Sequence, residues 1–176
     1  MTSPKIDLDR VYQRIGEFVV VFQSIEDMFR QIGWFILDPS RKEWPPQQLR
    51  TEQSAELVNK VDALFADAIF NCGLSDAEKR RADFHSLVTR FHAIRKLRNR
   101  HLHSAYIELK AGGEIQALLR SNPKFDIDPE TNEVLIDQVI IGPEAFDKEM
   151  KEMADIGFHL GLYYSQLISR LRANAR

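Results

Sequence analysis

The chain has 176 residues, 44% hydrophobic and 28% charged, with a net charge of −2; that is long enough to bury a core and too apolar to stay disordered. One cysteine, Cys72, excludes an internal disulfide framework and a cysteine-based zinc site, and it fits a reducing cytoplasm. The near-neutral balance excludes a basic field spread over the whole protein, and no membrane association is expected, because the start "MTSPKIDLDR" lacks an apolar run and the stretch from Phe18 to Leu37 is broken by Glu26, Asp27 and Arg30.

A first helix is expected from about Asp9 to Leu37, where Ile15, Phe18, Val19, Phe22, Ile25, Phe29, Ile32 and Ile36 recur at three and four residues. Pro39 forces Asp38 out of the helical region and ends it, and Pro45 and Pro46 stiffen the linker that follows. A second helix, about Thr51 to Asn71, carries Val58, Val61, Leu64, Phe65, Ala68 and Ile69 on one face, with Gly73 placed to close it in a left-handed conformation. The third opens with the capping-box spacing Ser75 to Glu78, carries the stripe Phe84, Leu87, Val88, Phe91, Ile94 and Leu102, and should end near His101 or His103.

The period then changes. "AYIELKAGGEIQALL" and "KFDIDPETNEVLIDQVIIG" are β-branched, with turns expected at "AGG" and "DPETNE", so two hairpins or one small sheet should lie within residues 104–142. Pro143 suits the first turn of a last helix reaching about Leu171, whose Phe146, Met150, Met153, Gly157, Leu160, Tyr164, Leu167 and Leu171 form a bundle-type seam. The expected fold class is therefore all-α, a single domain of four or five up-and-down helices with a small β-rich insert.

Charge is concentrated on the third helix. From Lys79 to Arg100, eight Lys and Arg stand against the single acid Asp83, whereas Asp126 to Asp155 holds ten acids against Lys148 and Lys151. On a wheel of about 100° per residue, Arg95 and Arg98 fall within roughly 40° of the apolar direction. A buried guanidinium calls for an acid, and Glu26, inward-facing between Phe22 and Phe29, is the expected ion-pair partner of Arg95 or Arg98. His85, His92, Asn99 and His103 form a polar strip beside the stripe. No metal or other cofactor is expected: His101 and His103 diverge by about 200° on a helix, and no acid completes a His pair at three or four residues.

Arg98, Asn99 and His103 make the pattern R-N-x-x-x-H near the end of a long helix, and this resembles the signature of the HEPN superfamily. The stretch "GEFVVVFQSIEDMF" is similar to that superfamily's opening helix. The resemblance implies a small helical, metal-independent endoribonuclease of toxin or antiphage systems, with its active site at a homodimer interface. Arg98, His103 and Asn99 would be its catalytic set. His103 would move protons, Arg98 would hold the phosphorane oxygens, and Asn99 would orient the ring or touch the phosphate. Arg95, Lys96 and Arg100 would bind RNA through phosphates. An antitoxin or another neighbouring-gene protein is a possible partner, and the location implied is cytoplasmic. Some such toxins carry a Tyr two residues after the His, where an antitoxin modifies it; Ala105 stands there and Tyr106 follows, so that route is not expected. The alternative function is a non-catalytic helical module binding a nucleotide, RNA or protein, with Arg98 structural and His103 at the helix end.

Overall fold

The computed structural model describes residues 7–42, 46–127, 130 and 134–174. Among them, four α-helices and one short 3₁₀ turn accompany three strands. These are α1 (Leu8–Leu37), α2 (Ser54–Asn71), α3 (Ala77–Leu102), β1 (Ala105–Ala111), β2 (Glu114–Ile127), β3 (Val134–Ile141) and α4 (Asp147–Asn174). The all-α expectation is corrected by the strands. They pair antiparallel in the order β1-β2-β3, so the fold is α+β. Pro45 and most of the "DPETNE" turn lie outside the described residues, as does the side chain of Leu171 at the end of the expected seam. No helix among the described residues is long and apolar enough to cross a membrane.

The chain divides into two compact units, one of Met1–Val20 with Arg95–Met150 and the other of Val21–Ile94 with Lys151–Arg176. In the second, the helical stripes meet as their periodicity predicts. Phe22, Ile25, Phe29, Ile32, Leu57, Val58, Val61, Phe65, Ile69, Phe84, Leu87, Val88, Phe91 and Ile94 are buried, together with Met153, Ile156, Leu160 and Leu167 of α4. Stacked pairs join the helices: Phe65 on Phe84 with centroids at 3.9 Å, and Phe22 on Phe91 at 4.9 Å. Gly73 closes α2 at φ +62, as its position suggested.

The first unit is where β-strand and helix share a core. Gly112 and Gly113, both at positive φ, close the β1–β2 hairpin as a two-residue turn that suits the strands' twist. Alternation along β2 turns Leu118 inward, where it packs with Val11 of α1 and Ile141 of β3, flanked by Leu8, Ile15, Tyr106 and Ala145. The strands are thus part of this unit's core rather than an appendage to a bundle. That is the physical reason the all-α reading fails.

The start of α4 also differs from expectation. Gly142 to Phe146 form turns, and the helix begins at Asp147, not at Pro143. Phe146 sits at φ +75, a left-handed conformation unusual for an aromatic residue, while its carbonyl accepts from the Met150 amide at 2.7 Å. Such strain costs about 1–3 kcal/mol. Burial of the ring, stacked on Phe18 at 4.5 Å, holds it in place.

Candidate functional site

The last turn of α3 carries the motif. Arg98 and Asn99 are half-buried side by side, with Arg98 Nη1 donating to Asn99 Oδ1 at 3.0 Å. α3 ends at Leu102, and His103 and Ser104 form the two-residue connection to β1. The His103 amide still donates to Asn99 O at 3.1 Å, but its side chain is exposed and makes no hydrogen bond or ion pair among the described residues. The structure therefore brings Arg98 and Asn99 together and leaves the His103 imidazole open to whatever approaches. Because His103 lies past the helix end, the helical wheel no longer fixes its direction.

Other expected site residues are distributed along the same region. Lys96 is exposed and Arg95 half-buried. Arg100, expected at RNA phosphates, is exposed and places Nε 3.6 Å from Asp137 Oδ2. Glu26 belongs to the other unit, where it pairs with Arg30 at 3.3 Å, one turn along α1. The histidine strip divides in the same way. His85 Nδ1 donates to Asp62 Oδ2 at 2.6 Å and His92 Nε2 to Asn59 Oδ1 at 2.9 Å, so both reach polar groups of α2.

The stripe of α3 needs a correction at its end. Leu102, expected in the core, is 44% exposed, whereas His101 is only 8% exposed. The stripe that is buried steps by three and four through 84, 87, 91 and 94, runs on through the half-buried Arg98 and reaches His101. A seven-residue repeat drifts about 20° per heptad on a straight helix, which carries the buried side away from residue 102. Spacing alone leaves residues 101 and 102 both eligible, and the rings of Phe18 and Phe146 select His101.

His101 is enclosed by aromatic rings. Phe146 meets it edge-on with centroids 4.5 Å apart and Phe18 at 6.3 Å, while the Tyr106 hydroxyl lies 3.0 Å from Nδ1 and 3.4 Å from the His101 carbonyl oxygen. Burial drives the imidazole pKa down to about 4; the charges of Arg120 and Arg100 push the same way, and Asp137 opposes them. His101 is therefore neutral at physiological pH. Burial also raises the Tyr106 phenol.

Sequence reasoning missed Arg120 and Asp137. Arg120, on the inward face of β2 with Leu118, is 3% exposed. It donates from Nη2 to Asp137 Oδ1 at 2.5 Å, and from Nη1 to Asp137 Oδ2 at 3.1 Å and Ser104 Oγ at 3.2 Å. The hydrogen bonds from Arg120 hold the Asp137 carboxyl below its usual range. The available signal was period two: Arg120 shares a face with Leu118, and a charge on the apolar face of a strand asks for an acid on the next one.

Among the described residues, no group of three or more His, Cys, Asp or Glu side chains is placed to hold a metal ion. Compared with known protein families, with curated proteins and with solved structures, the chain matches none.

Proposed function

We propose that the protein is a metal-independent endoribonuclease of HEPN type, acting in the cytoplasm as a toxin or antiphage defence protein, with its active site completed by a second copy of the chain. The observation supporting this reading is the end of α3, where Arg98 is bonded to Asn99 and His103 projects, unengaged, from the connection that follows. In-line cleavage needs a base for the ribose 2′-hydroxyl, an acid for the departing 5′-oxygen and positive charge on the phosphorane. His103 takes the 2′-proton, and the freed oxygen attacks phosphorus. The same histidine of the second copy protonates the 5′-oxygen as its bond breaks. The products are a cyclic phosphate and a 5′-hydroxyl. Arg98 contributes a planar fork for the equatorial oxygens, and Lys96 and Arg95 contribute phosphate contacts.

The test is cleavage of single-stranded RNA in the presence of EDTA. Wild type should leave cyclic phosphate ends, and Arg98→Ala or His103→Ala should each lower the rate by at least about a hundredfold, the scale of a lost acid–base or oxyanion group. Cleavage that survives in both variants, or that EDTA abolishes, refutes the mechanism. One observation favours the non-catalytic alternative: the Arg98 guanidinium already serves Asn99 in a half-buried position, a structural pose. RNA retention without cleavage by wild type would decide for that module.

A further inference from the structure

Among the described residues the His103 side chain makes no hydrogen bond or ion pair, so its direction depends on how firmly its backbone is held. The backbone is gripped on both sides of the residue. On one side its amide is bonded to Asn99 O; on the other, Ser104 Oγ donates to Arg100 O at 2.6 Å, closing the last turn over a carbonyl that the helix end leaves without a partner. The same Ser104 oxygen accepts from Arg120 Nη1 at 3.2 Å. Arg120 is in turn locked by both oxygens of Asp137, and Asp137 also faces Arg100 Nε at 3.6 Å. A chain of bonds therefore runs from β3 through β2 to the turn carrying His103.

A guanidinium is a costly way to fill an interior site. Its side chain is 4% exposed and its Nε has no hydrogen-bond partner among the described residues, whereas an apolar side chain of similar length would fill the same space without that penalty. What an apolar replacement could not do is grasp Asp137 and Ser104 together. We infer that Arg120 is a positioning residue for His103, and that the β-sheet serves as the buttress fixing the end of α3. This rests on the ribonuclease reading for its catalytic consequence, but not for its structural one.

Two variants and two readouts test it. Arg120→Met removes the clamp, and Ser104→Ala cuts only the link between Arg120 and the Arg100 carbonyl, leaving the Arg120–Asp137 pair intact. In both, the His103 amide should exchange with deuterium about tenfold faster than in wild type, while amides in the middle of α2 keep their rates. In RNA cleavage, kcat should fall by about ten- to a hundredfold with KM within about twofold, because a loosened general base loses geometry and not substrate binding. Arg120→Lys should recover part of the stability but not kcat, since an ammonium cannot reproduce the planar fork. If Ser104→Ala keeps both the wild-type exchange rate at His103 and full kcat, the inference fails. If wild type cleaves no RNA, the ribonuclease reading falls while the exchange rates still decide on the clamp.

Discussion

Acidification should destabilise the protein through His101, by an amount its surroundings set. In the folded state this imidazole titrates near 4, against 6.5 for an unperturbed histidine. Between those values the unfolded chain binds a proton that the folded chain refuses. Stability therefore rises with pH across this window and is lost as pH falls through it. From about pH 7.5 to about pH 5 the two titration curves differ by about 2 kcal/mol, and by about 3 kcal/mol once pH drops below the folded value. Asp137 acts in the same direction, since its folded pKa is depressed, but its contribution is lost only as pH falls below the unfolded carboxylate value of 3.8. The upper window thus belongs to His101. The assay is urea unfolding of wild type and His101→Phe at several pH values from about 7.5 to about 5. The variant lacks the titrating group, so its stability should fall by about 2 kcal/mol less over the same range, whatever its absolute value. The other histidines are common to both proteins and cancel in the comparison. Parallel pH profiles for the two proteins would show that His101 is not held neutral by burial.

Two glycines of α1 should respond oppositely to the same change. A Cβ added at Gly16 would meet nothing within 4 Å, so Gly16→Ala should stabilise by about 0.5–1 kcal/mol through backbone entropy alone. At Gly33 a Cβ would stand 2.6 Å from Leu49 Cδ1 and 2.7 Å from Val61 Cγ2, so Gly33→Ala should cost about 1–2 kcal/mol net, as overpacking outweighs the helix gain. Denaturant midpoints check both, and equal stabilisation by the two substitutions would contradict the packing described. Phe146→Gly should relieve a strain of about 1 kcal/mol but vacate a ring buried against Phe18 and His101, for a net loss of at least about 2 kcal/mol in urea unfolding; no loss would mean that the strained turn is not held by the ring.

Local periodicity determined the elements of this protein. The three-four spacing of apolar residues in α1 and α3, the left-handed stop at Gly73 and the paired glycines of the first hairpin each follow from steric rules acting within a few residues. The pattern Arg98-Asn99-x-x-x-His103 was likewise legible, because it needs only spacing. Tertiary structure decided what spacing cannot: which side of the α3 end is covered. With α1 and the sheet in place, His101 is enclosed by Phe18, Phe146 and Tyr106 while Leu102 is left outside, a result that depends on two phenylalanines far from it in sequence, one on either side. The pairing of Arg120 with Asp137 was hidden for the same reason. A strand's alternation shows which face a charge occupies, but only strand register shows which carboxylate it meets.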